Sequence, residues 1–578
     1  METTMQERVR FEWREVLKLG LFGGLAALFV CLVGMVDTFG EKDVIGGLLT
    51  QGQMLLLLIW FGFGYLVTRR VPGGSQSQTI GGGALVGAIT SGMLIALVLI
   101  AEPLNLREVL VEASPALVAD LTLGLGAGLG SLVLLIAGLA FGALGAAVPA
   151  VPEGVRRPLL MALVWVLAIG IFQDVLAPIP ALPRVIARFM FDMSGLSILG
   201  AIIVFVVVGG LTFLWSRQGG QVRERIDTMP SNRLKTLRWS ALAVGLLLLL
   251  ILPQIVGSYL SDVFSTVGIY ILMGLGLNIV VGYAGLLDLG YVAFFAIGAY
   301  VASVLTSTGE LGFGLNFWLA VPFAVLAAAL AGVILGVPVL QMRGDYLAIV
   351  TMGFGEIIRI LVLSDALRPW LGGAQGILAV PKISVLGFRL SGPQQLLYLI
   401  AVACLLAVFV SRRLSDSRIG RAWMAIREDE DVAEAVGIGL VKHKLMAFAA
   451  GAAFAGLAGA IFASKLGSIY PHSFKLEVSI WVLCLLIVGG MGSIPGVAVG
   501  ALVMMGLPEL LRTFAEYRLL FYGAILVVMM LMRPEGLWPE ESRRRELHAD
   551  EENDLDFPPD GSQAAPSSGT PAAAGSES

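Results

Sequence analysis

The chain has 578 residues, of which 57% are hydrophobic and only 14% are charged, with 72 glycines and a formal net charge of −4. This composition is typical of a polytopic membrane protein. The net charge describes the membrane part poorly, because part of the acidic excess lies in the tail after Pro539, and nucleic acid is not an expected partner. The cysteines, Cys31, Cys404 and Cys484, lie far apart inside apolar runs, so neither a disulfide framework nor a metal site is expected.

Six hydrophobic segments are predicted in the first part of the chain, each about the 20 residues that a membrane-spanning helix needs. They lie near residues 16–36, 44–67, 80–101, 121–148, 159–177 and 195–215. Basic residues precede the first segment and no small-residue cleavage site follows it, so we expect an anchor and not a removed signal peptide. Basic loops at 69–70 and 156–157 alternate with acidic or mixed loops, which by the positive-inside rule predicts a cytoplasmic amino terminus.

Residues 217–238 form a strongly basic stretch, which is the natural boundary between two membrane modules, 1–216 and 239–535. An even number of preceding spans returns the chain to the cytoplasmic side. The second module is predicted to hold ten hydrophobic segments, which gives an all-α transmembrane bundle of about sixteen candidate spans. The charged and then Ser-, Ala-, Pro- and Gly-rich residues 540–578 are predicted to be a disordered cytoplasmic tail.

Two glycine-rich stretches interrupt hydrophobic runs of the second module: GYAGLLDLG at 282–290, here the first break, and GGMGSIPG at 489–496, the second break. A helix broken at membrane depth is tolerated only where it faces protein or a water-filled path, so both favour a translocation module. The pathway candidates of the first break are Gly282, Gly285, Asp288 and Gly290. The alternative is that its glycines only pack helices and its carboxylate caps one of them.

An ionisable pair is predicted inside another hydrophobic segment, GDYLAIVTMGFGEIIRI at 344–360. If a helix begins near Asp345, Glu356 lies about 17 Å along it, close to the middle of the membrane. Arg359 is one turn further and can pair with it. Intramembrane ionisable residues often mark a pathway, but we favour an ion pair that fixes helix packing.

The stretch 417–440 is too polar to cross a bilayer and lies between two long apolar runs. Its apolar residues recur at three- and four-residue spacing, which predicts an amphipathic helix ending near Gly437; they are Ile419, Ala422, Trp423 and Ile426. Flanking Arg and Lys residues place this loop in the cytoplasm. Such a helix suits docking of a soluble partner, and a merely solvated loop helix is the alternative.

AIREDEDVAEAVGIGLVKHKLMAFAAGAAFAGLAGAIFA, from this loop into the next segment, resembles the coupling loop of branched-chain amino-acid ABC permeases of the LivM kind. Residues 276–305 and 344–360 resemble the same family, as do the shorter motifs LGGAQGI and YPHSF. Residues Asp431 to Gly437 also fall on the looser E-A-A-x-x-x-G pattern of bacterial ABC permeases, with departures at Asp431 and Val432. The resemblance covers most of residues 240–533.

The resemblance implies a permease subunit of an ATP-driven importer in the bacterial inner membrane, with both termini cytoplasmic. Its implied partners are a second permease of the LivH kind, two ABC ATPases that dock on the coupling loops, and an external amino-acid-binding protein. ATP is then bound by the ATPases, and no enzymatic activity or bound cofactor is expected of this chain, which has no Gly-Lys pair and therefore no P-loop. The implied ATPase-coupling residues are Arg421, Arg427, Glu428, Asp429, Asp431, Ala433, Glu434 and Gly437.

Other functions stay open at this stage. Within the family, substrates extend from branched-chain amino acids to other amino acids and to small amides such as urea, and no residue selects among them. A secondary transporter would also contain broken helices and buried charges, although it would need no docking helix on the cytoplasmic side. A channel or a structural membrane subunit is the third possibility.

Overall fold

The computed structural model describes residues 11–539, apart from 72–74, 102–109, 111, 181–182, 193–194, 228–230, 340–341, 343, 386, 511–516 and 534. The predicted tail at 540–578 lies outside the described residues. The all-α prediction is confirmed, since the described residues are mostly helical and their strands form only two short two-stranded sheets. The chain divides into two compact units, Met1–Ile255 and Val256–Ser578.

The first unit contains ten helices among its described residues and the beginning of an eleventh. They are α1 (Trp13–Leu32), α2 (Met35–Gly40), α3 (Gln51–Arg70), α4 (Gln76–Ala101), α5 (Pro115–Leu121), α6 (Gly126–Ala147), α7 (Glu153–Ile171), α8 (Gln173–Leu176), α9 (Arg184–Met190), α10 (Ile198–Asp227) and α11 (Ser231–Leu277). A 3-10 turn follows α6 at Val148–Ala150, and strands β1 (Asp43–Ile45) and β2 (Leu49–Thr50) pair antiparallel before α3.

Helices α1, α3, α4 and α6 pack against one another, and α7 packs against α10. Their lines of contact are rich in small residues: a Cβ added to Gly87 of α4 would lie 1.9 Å from the carbonyl oxygen of Gly138 in α6. Small residues let apolar helices approach closely, which suits association within a bilayer. All six segments predicted in this unit are confirmed as helices long and apolar enough to span a membrane.

The second unit begins near an interruption of α11 at Gly257 and continues α11 into a π-helical turn at Asn278–Tyr283. Its further helices are α12 (Val292–Thr306), α13 (Phe317–Val339), α14 (Asp345–Leu363), α15 (Arg368–Leu371), α16 (Pro393–Ser415), α17 (Arg418–Glu428), α18 (Glu430–Ala435), α19 (Leu440–Leu466), α20 (Leu476–Gly489), α21 (Ile494–Ala501), α22 (Leu507–Leu510) and α23 (Arg518–Met532). Short 3-10 turns lie at Gly373–Gln375 and Pro471–Phe474, a π-helical turn at Leu502–Gly506, and an antiparallel pair at β3 (Ser384–Val385) and β4 (Phe388–Arg389).

The core of this unit is built around α12 and α19. Both helices pack against α13 and against each other. A Cβ on Gly298 of α12 would lie 2.4 Å from the Cα of Gly456 in α19, so the two backbones nearly touch at their crossing. Because α12 is buried along most of its length, the break that precedes it is held inside the protein.

The number of candidate spans differs from the prediction. The described residues contain eleven helices long and apolar enough to cross a membrane, or twelve with the bent pair α20 and α21–α22, rather than about sixteen. The difference arises in the second unit, where α12 has only 15 residues and measures about 22 Å, short of a hydrocarbon core of about 30 Å. Both predicted breaks are confirmed as interruptions, and the second bends its helix pair by 119°.

Candidate coupling and translocation site

The charge-rich stretch folds as two helices, α17 and α18, rather than the single helix predicted. Asp429 separates them with an extended backbone (φ −157°, ψ 115°), and its Oδ1 accepts hydrogen bonds from the backbone N–H groups of Asp431 and Val432, both at 2.9 Å. The residue that caps the start of a helix has a non-helical backbone conformation, so Asp429, which caps α18, also ends α17. The sequence analysis named Asp429 as a coupling residue but missed this capping role.

The apolar face predicted for α17 is buried. Ala422, Trp423 and Ile426 all point into the protein, and Trp423 is only 1% exposed. Its indole Nε1 donates a hydrogen bond to the carbonyl oxygen of His443, at 2.8 Å. Since His443 belongs to the first turn of α19, this contact fixes α17 to the beginning of the central helix of the unit.

Helix α18 ends in a Schellman turn at Gly437. The N–H of Gly437 donates to the carbonyl oxygen of Glu434 at 2.9 Å, and the N–H of Ile438 donates to that of Ala433 at 3.0 Å. Gly437 has a φ of +90°, the left-handed region that favours glycine at this position. A Cβ placed there would meet no atom within 4 Å, so the requirement for glycine comes from the backbone turn and not from crowding.

One side of α18 is open at the surface of the chain. Asp431 and Glu434 are exposed, and beside them Val432 and Val436 are 59% and 72% exposed. Ala433 lies on the opposite side and is 2% exposed. This mixture of acidic and apolar side chains on a short, capped helix is a surface that a soluble partner can bind.

The other charges of the loop have different surroundings. Arg421 and Glu428 are exposed, and the Nη1 of Arg421 donates to the carbonyl oxygen of Asp416 at 2.9 Å. Lys444, one of the basic residues that flank the loop, is only 4% exposed and pairs with Glu430 at 2.8 Å. This ion pair ties α18 to α19, and apart from the two opposite charges no pattern in the sequence predicted it.

Arg427 connects the loop to the first break. Its Nη1 donates a hydrogen bond to the carbonyl oxygen of Gly282 at 2.7 Å, across 145 residues of sequence. The same side chain covers Gly285, where an added Cβ would lie 2.9 Å from its Cγ. The predicted coupling residues and the predicted pathway residues therefore meet at Arg427.

The first break in turn contacts the second. Asn278, fully buried in the π-helical turn, accepts a hydrogen bond through Oδ1 from the N–H of Gly492, at 2.8 Å. A Cβ on Gly282 would lie 2.2 Å from this Oδ1 and 2.8 Å from the nitrogen of Gly492, so the position has no room for a side chain. Asn278 was missed by the sequence analysis, although a lone amide inside an apolar run was a usable signal.

Asp288 lies in the turn before α12 and is fully buried. Its Oδ1 accepts a hydrogen bond from the N–H of Gly290 at 2.8 Å, whereas Oδ2 has no hydrogen-bond partner. Ser479 accepts a hydrogen bond from the N–H of Val292 at 2.9 Å, and Thr351 accepts one from the N–H of Leu289 at 3.0 Å. Oδ1 of Asp288 therefore stabilises the turn, and Oδ2 is available for other interactions.

Gly290 lies against α14. A Cβ at this position would lie 1.8 Å from the carbonyl oxygen of Thr351, so a side chain would push α14 away. The break is thus held from three sides: by α14 through Thr351, by α20 through Ser479, and by α17 through Arg427.

Glu356 and Arg359 form the predicted ion pair on α14. The Nε of Arg359 donates to both carboxylate oxygens of Glu356, each at 3.0 Å. The pair is not buried within this chain, since the two side chains are 44% and 29% exposed. It therefore lies apart from the first break, on the side of α14 that faces away from the core.

An apolar cavity of about 380 Å³ lies between α12, α14 and α15. Its lining residues are Ala296, Ile297, Tyr300, Val301, Val304, Leu305, Ile358, Leu361, Val362, Leu367 and Leu371. The hydroxyl of Tyr300 is buried there without a hydrogen-bond partner. A cavity with this lining can hold a branched aliphatic group.

Comparison with known proteins identifies one family. Residues 259–530 match the family described as "Branched-chain amino acid transport system / permease component". This range contains both breaks, the α17–α18 loop and the ion pair, whereas the whole of the first unit lies outside it. No solved structure matches the chain significantly.

Curated relatives carry the same description. The chain is 41% identical over 335 residues to the high-affinity branched-chain amino acid transport system permease protein LivM of Escherichia coli K12, covering 54% of this chain and 77% of that protein. It is 42% identical over 310 residues to LivM of Salmonella typhimurium LT2, covering 50% and 72%. It is 26% identical over 306 residues to LivH of Escherichia coli K12, covering 48% and 95%.

Proposed function

The chain belongs to the family of branched-chain amino-acid transport permeases, and from this membership we propose that it forms part of the membrane pathway of an ATP-driven amino-acid importer. It is a transport subunit and not an enzyme. The observation that carries the proposal is the hydrogen bond from Arg427 to the carbonyl oxygen of Gly282, which joins an exposed loop helix to a broken membrane helix. Such a link lets force applied outside the membrane reach a break inside it.

The proposed complex contains a second permease of the LivH kind, two ABC ATPases and an external amino-acid-binding protein. The chain's similarity to both LivM and LivH supports a pair of related permeases. In this complex the ATPases bind ATP, and this chain binds no cofactor. The α17–α18 loop then lies on the cytoplasmic side of the inner membrane, as do both termini, in keeping with the basic residues that flank the loop.

The proposed mechanism moves the loop and the break together. An ATPase docks on the exposed side of α18, where Asp431, Glu434 and Val436 are accessible. Because Trp423 anchors α17 to α19 and Arg427 bonds to the first break, a shift of α17 changes the hydrogen bonds of the π-helical turn. The pathway then alternates between two states that ATP binding and hydrolysis favour in turn.

The cavity between α12, α14 and α15 favours one of the two substrate classes. Its lining is aliphatic apart from Tyr300, so it suits the side chain of leucine, isoleucine or valine. Urea has no apolar group and short amides have only a small one, so neither would fill the apolar lining of this cavity. Branched-chain amino acids are therefore the proposed substrates.

Uptake into vesicles tests this function. The complete importer, reconstituted with its binding protein outside and ATP inside, should accumulate labelled leucine, and an excess of unlabelled urea should not compete. The same vesicles without ATPase, given a proton or sodium gradient, should accumulate none. Uptake by this chain alone on an ion gradient would instead establish a secondary transporter.

The exposed side of α18 gives a second test. Gly437→Val forces a β-branched residue into a left-handed conformation at a cost of about 1 to 3 kcal/mol, which should distort the turn after α18. Asp431→Lys combined with Glu434→Lys reverses the charge of the same surface. Both variants should insert normally and lose leucine uptake about tenfold or more, while the ATPases continue to hydrolyse ATP.

Matched controls come from the same loop. Gly439→Val places the same side chain at an open position with an ordinary φ of −71°, and Asp416→Lys adds a charge at an exposed position before α17. Both controls should transport near the normal rate. Normal uptake in Gly437→Val and in the double Lys variant would exclude this surface as the coupling contact.

A further inference from the structure

We propose that one face of α14, formed by Tyr346, Ile349, Gly353, Glu356 and Ile360, binds the second permease of the importer. This inference rests on the proposed function and adds to it the location of the contact between the two permeases. The five residues recur every three or four positions and so share one side of the helix. They are called the α14 face below.

The described residues of the second unit leave the α14 face open. Tyr346, Ile349 and Ile360 are 75%, 61% and 54% exposed. The opposite side of the helix is buried through Leu347 and Thr351, which face the core. Exposure alone does not identify the occupant, because a membrane helix can equally well face lipid.

The charges distinguish lipid from protein. Glu356 lies about 17 Å from the beginning of α14, and Arg359 bends back to it with both Nε contacts at 3.0 Å instead of reaching toward the nearer helix end. Charged side chains at this depth are costly against lipid and almost always face protein or water. The pair is 44% and 29% exposed, so lipid alone does not suit this side of α14, and a further protein surface beside it would satisfy both charges.

The exposed side of helix α13, in the same unit, has the composition that suits contact with lipid. Its exposed residues Leu319, Phe323, Leu326, Leu330 and Ile334 are 54% to 68% exposed, and all are apolar. The exposed side of α14 is therefore about as accessible as that of α13, but it differs in composition because it includes the charged side chain of Glu356. This contrast within one unit argues that the two helices have different neighbours.

Gly353 supplies room for a close neighbour. A Cβ at this position would meet no described atom within 4 Å, so no contact within the described residues requires a glycine there. Small residues on an open membrane face let a second helix approach closely. The chain is 26% identical to LivH over 95% of that protein, so a LivH-type partner has the same kind of helices to offer. Two related subunits of this kind typically pack with similar surfaces about a two-fold axis.

Photo-crosslinking in the complete importer tests the contact. The probe p-benzoyl-phenylalanine is placed at Ile349 or Ile360 on the α14 face, or at Leu326 or Ile334 on α13 as matched controls, and membranes are irradiated. We expect an adduct of this chain with the second permease from both α14 positions, at least tenfold more abundant than from the α13 positions. Equal yields from the two helices, or adducts only with lipid or with a second copy of this chain, would overturn the proposal.

Co-purification separates this inference from the function on which it rests. The second permease should be recovered with the tagged wild-type chain in detergent. If it is not recovered, the proposed permease pair itself is wrong. If it is recovered but neither α14 position gives its adduct, the importer stands and the α14 face is not the contact.

Discussion

Arg427→Ala should abolish most ATP-dependent uptake while leaving the protein inserted and the ATPases active. The substitution removes the hydrogen bond from the guanidinium to the carbonyl oxygen of Gly282 and uncovers Gly285. A hydrogen bond to a charged group contributes about 1.5 to 3 kcal/mol, which corresponds to a shift of about 10- to 150-fold in a two-state equilibrium. We therefore expect leucine uptake to fall at least tenfold.

Two further variants identify the cause. Arg418→Ala removes a side chain of the same charge, here from an exposed position in the first turn of the same helix, and should transport normally. Arg427→Lys keeps the charge but loses the planar fork of donors, so it should show intermediate uptake. If Arg418→Ala is as defective as Arg427→Ala, the loss reflects the charge of the loop and not the bond to the first break. Normal uptake in Arg427→Ala would exclude the link altogether.

Much of the fold could be predicted from the sequence because membrane spans depend on local composition. The six segments of the first unit were predicted at nearly the positions of α1, α3, α4, α6, α7 and α10. The two breaks were visible as glycine-rich interruptions, since few other residues allow such turns. The buried face of α17 followed from its apolar spacing. Each of these properties lies within about twenty residues of chain.

The contacts that assemble the site could not be predicted in this way. The bond of Arg427 to Gly282 joins residues 145 positions apart, and no pattern in one sequence pairs them. The burial of Lys444 beside Glu430 depends on how α18 folds back on α19. The short apolar helix α12 accounts for one of the excess predicted spans, because apolarity alone does not reveal where a buried helix ends.

The pair Glu356 and Arg359 should respond asymmetrically to loss of either member. Glu356→Gln leaves the guanidinium of Arg359 without its partner, and this cation cannot be deprotonated in a protein. An unpaired charge costs about 2.5 to 3.5 kcal/mol at the centre of a membrane helix on insertion scales and less toward its ends, and Arg359 lies about 6 Å before the end of α14. Arg359→Met leaves a carboxylate, which a proton can neutralise. The amount of assembled protein should therefore fall at least tenfold in Glu356→Gln and less in Arg359→Met.

The double variant Glu356→Gln with Arg359→Met should restore both abundance and leucine uptake to near the wild-type level. It removes both charges together, and replacing a charge pair by groups of similar size can be close to neutral. Abundance in membranes and uptake per assembled complex are measured separately for the three variants. A double variant that assembles with the second permease and still fails to transport would mean that the charges contact the amino-acid substrate. A double variant as scarce as Glu356→Gln alone would mean that the pair contributes more than mutual neutralisation to the contact made by α14.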